Sequence, residues 1–254
     1  ASNLFNDAKK MLNKIVTEKW LVANAVFGFY PCHSEDDDVI LQSSEAGNNP
    51  VSKLHFLRQQ KQTNELRANY CLSDFIAPSI AKRQDYIGAF AVTTGIGLDA
   101  KIKEFEAAGD DYSSIMLKAL ADRLAEAFAE KLHELVRKRY WGYASDEALS
   151  NDDLISEKYQ GIRPAPGYPA CPDHTEKTAL FELLNATEHS GIVLTEHFAM
   201  TPAASVSGFY YSHPESKYFA VGNITKDQVE HYAQRKGMSV EDTEKWLSPV
   251  LSYD

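Results

Sequence analysis

The 254 residues, 44% of them hydrophobic and 24% charged, can bury a substantial core as one large domain or two small ones. A formal net charge of −10 argues against a general nucleic-acid binder, which needs a basic footprint. No apolar run reaches membrane-spanning length and residues 1–7 lack a signal-peptide core; the three widely spaced cysteines, Cys32, Cys71 and Cys171, imply no disulfide framework and fit a reducing, cytoplasmic compartment.

Residues 3–19 carry Leu4, Phe5, Ala8, Leu12, Ile15 and Val16 on one stripe and predict an amphipathic helix. Residues 21–30 read as a strand. A charged tip, Glu35-Asp36-Asp37-Asp38, separates it from Val39-Ile40-Leu41, so a hairpin is expected, its acids solvated rather than bound to a cation. Residues 52–60 predict a short helix and residues 85–94 a buried strand. Gly95-Ile96-Gly97 lacks the third glycine of a dinucleotide fingerprint and reads as a tight strand-to-helix turn.

Residues 110–141 form the clearest element, a long helix with acids at its start, alanines in its middle and bases at its end. Ile115, Leu117, Leu120, Leu124, Phe128, Leu132 and Leu135 supply its apolar side. Glu126 lies beside that stripe and reads from its position alone as a solvated carboxylate. Arg137-Lys138-Arg139 reads as a solvated helix end that complements the macrodipole.

Residues 144–158 are polar, with room for one short helix. Asp173 is expected to cap a helix running to about residue 187, with Glu176 completing a capping box. Residues 203–212 and 217–224 resemble two strands. Thr225 to Gln228 reads as a second capping box, and Ser239 opens the last helix after a stop at Gly237. Paired strands with helices between the pairs and at the ends predict a single α+β domain over residues 1–254, with antiparallel pairing.

Between residues 163 and 172 lies Arg163-Pro164-Ala165-Pro166-Gly167-Tyr168-Pro169-Ala170-Cys171-Pro172. Its prolines fix much of the backbone and push their predecessors toward extended conformations, so neither an interior helix nor a central strand fits. A stiff wall with few ladder partners for its carbonyls is expected. It reads either as a rigid surface connection or as a seat for a small zwitterionic or cationic ligand, with a guanidinium, a glycine and an aromatic ring at fixed offsets.

Protein-side catalysis has little support. No phosphate-binding P-loop, convincing methyltransferase glycine loop, His-Glu-x-x-His, paired Cys-x-x-Cys or serine elbow occurs. Cys171 and His174 make only half a metal site, and His174 reads as an ordinary polar contact.

The stretch Gln160-Gly161-Ile162-Arg163-Pro164-Ala165-Pro166-Gly167-Tyr168-Pro169-Ala170-Cys171-Pro172-Asp173-His174 closely resembles the signature of the C-terminal activation domain of cobalamin-dependent methionine synthase. Lys118 to Ala127, Ala204-Ser205-Val206-Ser207-Gly208 with Ser212-His213-Pro214, Leu57-Arg58-Gln59-Gln60, Asp85 to Phe90, Val136-Arg137-Lys138 with Tyr140 to Tyr143, and Arg235 to Val240 resemble it too, in one order and over nearly the whole chain.

That resemblance implies a curved domain around a bent, mainly antiparallel sheet that binds S-adenosylmethionine. It implies that the domain presents the ligand's methyl group for reductive methylation of cob(II)alamin, in support of methyl transfer from methyltetrahydrofolate to homocysteine. The electron would come from a flavodoxin or flavodoxin-like reductase. Cobalamin would sit in another module of the same polypeptide, and zinc only in the homocysteine module. By the same resemblance Arg163 meets the ligand's carboxylate, and Ala165 and its neighbours, Gly167 among them, make the backbone contacts to the ligand's adenine and amino acid moiety. Tyr168 lies near the sulfonium, Tyr218 is a second ligand contact, and Glu126 and Glu157 are acids near the reacting end. The family domain begins earlier, with a helical segment bearing an Asp and Trp-Thr-Pro-Phe-Phe, so this chain is expected to be a piece of something longer that does not turn over alone. A stand-alone S-adenosylmethionine sensor without cobalamin is the alternative, and a conventional methyltransferase a third.

Overall fold

The computed structural model describes residues 2–42, 50–61 and 68–253. The N-terminal segment folds as expected into a helix, α1, Ser2–Thr17, but of its predicted stripe only Ile15 is buried, together with Met11 from outside it, while Leu4, Phe5 and Val16 are exposed. Strand β1, Val22–Glu35, turns back into β2, Asp38–Gln42, with Cys32 opposite Leu41. The hairpin is the predicted one, and Glu35 and Asp36 at its tip are exposed as expected, but Asp37 and Asp38 are not. Asp38 is 4% exposed, receives Arg235 and His55, and has Lys53 3.6 Å away. Asp37 takes Arg58 at 2.7 Å.

The helix expected over 52–60 is instead β3, Pro50–His55, followed by a loop that buries Phe56 and Leu57. Pro50, Val51 and Ser52 are weak helix formers, and the open edge of β2 offers backbone partners. Strand β4, Asp85–Ile96, ends at Gly97, which caps α2, Leu98–Ala107.

Asp110 accepts the Ser113 N–H at 2.9 Å and starts α3, Asp111–Leu135, which widens into a π-turn over Val136–Tyr140. Ile115, assigned above to the apolar side, is 67% exposed. The buried stripe runs instead through Leu117, Ala121, Ala125, Ala129 and Leu132. Alanines bring the helix axis close to the sheet, so residue size alone misjudges the face.

A short α4, Asn151–Ile155, precedes the proline segment. Beyond it come α5, Glu176–Leu184, and α6, Ala186–Ser190, then the two-residue strands β5, Val193–Leu194, and β6, Met200–Thr201. Strand β7, Ser205–Tyr210, leads to the closing helices α7, Lys226–Lys236, and α8, Val240–Leu247. Residues 217–224 make no strand. The free edge of β7 is already taken, because Phe209 N–H donates to Pro164 at 2.9 Å and Ile162 and Tyr211 exchange both hydrogen bonds. What remains for this stretch is a bond from Val221 N–H to Pro169 and a bridge from Ile224 to Leu251.

Ser239 caps α8 as predicted, and Gly237 ends α7. The two expected capping boxes do not form. Asp173 does accept from Thr175, but Glu176 turns to the His55 N–H and to Lys236 Nζ, which also reaches Asp173 at 2.6 Å. Gln228 spends its amide on both backbone groups of Arg58, at 2.8 and 3.0 Å. In each case a tertiary partner outcompetes the local one.

The main sheet has the order β3-β2-β1-β4-β7, every pairing antiparallel, and it curls into a half-barrel as the resemblance implies. Its faces alternate residue by residue. Phe90, Val92 and Tyr210 pack on Ala129, Leu132 and Val136 of the long helix. Ile87, Ala89, Ala91, Phe209 and Tyr211 face Leu180, Phe181 and Leu184 of α5. A sheet buried on both faces is a rigid base for the segment along its β7 edge. Among the described residues no helix is long and apolar enough to cross a membrane.

Candidate functional site

The proline segment lies along β7 and then folds on itself. Pro164 and Ile162 carbonyls belong to the β7 edge, Ala165 accepts from Tyr168 N–H, Tyr168 from Cys171 N–H, and Cys171 from Gly167 N–H at 2.7 Å. The wall is therefore stiff, but its carbonyls are better partnered than its prolines imply. Gly208 explains the close approach: a Cβ there would stand 2.6 Å from the Pro164 carbonyl oxygen.

A cleft of about 310 Å³ opens between this wall, the sheet and the long helix. Six of the seven expected residues line it: Arg163, Ala165 and Tyr168 from the wall, Tyr218 from the loop after β7, Glu126 from α3, and Glu157 beyond α4. Gly167 does not. Its φ is +93°, and an added Cβ would stand 2.2 Å from the His174 ring. Its glycine makes room for His174, which accepts from Lys177 Nζ at 2.9 Å as an ordinary polar contact. Residues without an expected role complete the lining, notably Phe90, Val206 and Phe219. Apolar side chains thus face three charged ones.

Arg163 is held from behind. Its Nη1 donates to Tyr159 Oη at 2.7 Å and to His133 Nδ1 at 3.3 Å, and its Nη2 to Glu130. A guanidinium carries five N–H donors. The Nε–H and one Nη2–H are left without a partner among the described residues. Glu126, Glu130 and His133 stand at i, i+4 and i+7 on one face of the helix, a spacing that the sequence displays and that a reading of Glu126 alone passes over.

His133 is fully buried. Its ring lies parallel to Tyr210 at 5.1 Å, and Tyr210 stacks in turn on Phe90 at 4.5 Å. Such ring pairs contribute about 0.5–1.5 kcal/mol each beyond their burial. Burial first, then the charges of Arg137 and Arg163, hold the imidazole well below its ordinary pKa. It is neutral at physiological pH.

Arg137, expected to be solvated, is 0% exposed. It forks onto Glu147 with two bonds of 2.7 Å and lies 4.3 Å above the Tyr159 ring. The π-turn carries it inward beneath the cleft. Glu157 has φ +52°, a left-handed backbone that a glutamate rarely adopts. The turn ending α4 sets its side chain at the rim.

Cys32, Cys71 and Cys171 are buried and free. Among the described residues no group of three or more His, Cys, Asp or Glu could hold a metal ion.

The arrangement offers a cationic fork, two rim carboxylates and aromatic rings around an apolar floor, which suits a small zwitterion with a cationic centre. The crystal structure of the MetH reactivation domain bound to AdoHcy is 57% identical and superposes with a TM-score of 0.96, over 100% of this chain and 78% of that one. The family described as "Vitamin B12 dependent methionine synthase, activation domain" matches residues 1–237. The chain belongs to the activation domains of vitamin B12 dependent methionine synthase.

Proposed function

We propose that the cleft binds S-adenosylmethionine and that residues 1–254 form one reactivation domain of a methionine synthase. The observation that carries this is the convergence of Arg163, Glu126, Glu157, Tyr168 and Tyr218 on one cleft, in a chain whose 57% identical neighbour holds AdoHcy.

The donor set fits the ligand part by part. The uncommitted Nε–H and Nη2–H of Arg163 receive the carboxylate as a fork, a contact of about 1.5–3 kcal/mol. Ala165 and the apolar side chains of Pro164 and Phe219 form the wall for the adenine. Glu126 and Glu157 favour the sulfonium electrostatically. Both are exposed, so each contributes roughly 1 kcal/mol or less. Tyr168, 61% exposed at the mouth, offers its ring face to the same cation. When bound, S-adenosylmethionine supplies an electrophilic methyl group. The chain's own residues fix its position, and proximity to the acceptor does the chemical work.

The acceptor in this reading is cob(II)alamin, carried by another module of the polypeptide, with the electron delivered by a flavodoxin or similar reductase. Three free, buried thiols fit a reducing cytoplasm. Methionine synthase is a methyltransferase; this domain on its own is expected to bind without turning over. Family membership favours reactivation over a stand-alone sensor. Isothermal titration of S-adenosylmethionine into the native chain and into Arg163→Ala tests the reading. A loss of tenfold or more in affinity is expected, and equal affinity would remove Arg163 from its role.

A further inference from the structure

We infer that His133 is a positioning residue for Arg163, its unprotonated Nδ1 aiming the guanidinium at the cleft. The inference rests on Arg163 receiving the ligand's carboxylate.

The imidazole is clamped. Tyr210 covers one face at 5.1 Å with the ring planes 13° apart, and Tyr159 meets the ring edge-on at 5.1 Å. A ring so held cannot swing, so packing rather than solvent fixes where its nitrogens point. A guanidinium has no acceptor. The 3.3 Å contact from Arg163 Nη1 therefore needs a lone pair on Nδ1, which puts the proton on Nε2. Nε2 faces the Tyr143 hydroxyl at 3.5 Å.

The choice of residue type follows from charge. A phenylalanine would fill the stack but leave a guanidinium N–H without its acceptor. A second carboxylate beside Glu130 would neutralise Arg163 and compete with the ligand's own. A neutral acceptor holds the fork still and leaves its positive charge for the incoming carboxylate. The Tyr159 hydroxyl, 2.7 Å from the same Nη1, acts in the same way.

Two polar variants separate the nitrogens. His133→Asn places an amide near Nδ1, and His133→Gln places one near Nε2. With S-adenosylmethionine as probe, the Asn variant is expected to bind within about threefold of the native chain. The Gln variant should bind about tenfold more weakly, the loss expected for one buried donor left unpaired. In an Arg163→Ala background the two should bind alike. For decarboxylated S-adenosylmethionine they should also bind alike, since the fork has nothing to grip. Equal affinities of the two variants with Arg163 present, or a difference that persists without it, overturn the inference. Nitrogen NMR of the His133 ring gives a readout that needs no ligand: a proton found on Nδ1 overturns it directly. A native chain that fails to bind S-adenosylmethionine removes the functional reading, and the inference with it, a result distinct from either.

Discussion

The backbone N–H of Arg163 donates to the Tyr218 hydroxyl at 3.0 Å and ties the two walls of the cleft together through a side chain. No strand ladder does this, because residues 217–224 pair with no strand. Tyr218→Phe keeps the ring and removes the acceptor. Stability should fall by about 0.5–1.5 kcal/mol. S-adenosylmethionine affinity should fall by a similar free energy, since the loop is then free to drift from Arg163. Thermal unfolding and titration read the two effects. Native affinity in the variant would show that the phenol does not fix this wall.

The Arg137–Glu147 pair lies deeper and carries a different expectation. Both side chains are buried and joined by two 2.7 Å bonds. Removing one partner leaves an uncompensated charge with no water to solvate it. Glu147→Ala or Arg137→Ala should each cost about 3–5 kcal/mol, whereas removing both should cost clearly less than the sum. Urea unfolding of the two single variants and the double variant measures this. Additive losses would mean that the two side chains act independently.

Stability should also depend on pH through His133. Its folded pKa is depressed by burial and by Arg137 and Arg163, while an unfolded histidine titrates near 6.5. Below that pH the unfolded chain takes up a proton that the native site refuses. The stabilisation is therefore complete above about pH 6.5 and is lost as pH falls toward the folded pKa, by about 1.4 kcal/mol per unit. His174, depressed by burial and Lys177, acts in the same direction. The contribution of His133 is the difference between the native chain and His133→Asn. Parallel stability curves from pH 7 to pH 5 would refute it.

Local features were legible in the sequence because their physics is local. Asp110 and Ser239 cap helices by reaching three residues ahead, and Gly97 turns a strand into a helix within one residue. Arg163 and Tyr168 announced themselves through the prolines around them. Apart from the misjudged helix face at Ile115, the failures share a cause in long-range pairing. Asp38 meets Arg235 across the fold, and Glu176 meets Lys236, so acids that read as a solvated tip or a cap became buried ion pairs. Glu130 and His133 were visible only as a helical spacing; what gave that spacing meaning was the guanidinium arriving from another segment.

Glu157 joins a backbone cost to a site role. At φ +52° its backbone is one that glycine adopts freely and alanine does not. Glu157→Gly and Glu157→Ala remove the same rim carboxylate but treat the backbone differently. Both should weaken S-adenosylmethionine binding equally, by about 1 kcal/mol or less, as suits an exposed charge. The glycine variant should nonetheless be more stable than the alanine variant by about 1 kcal/mol, the left-handed penalty that only alanine carries. If so, the glutamate is kept for its charge at the expense of the turn. Titration and thermal unfolding of the pair decide it, and equal stabilities would show that the turn relaxes without strain.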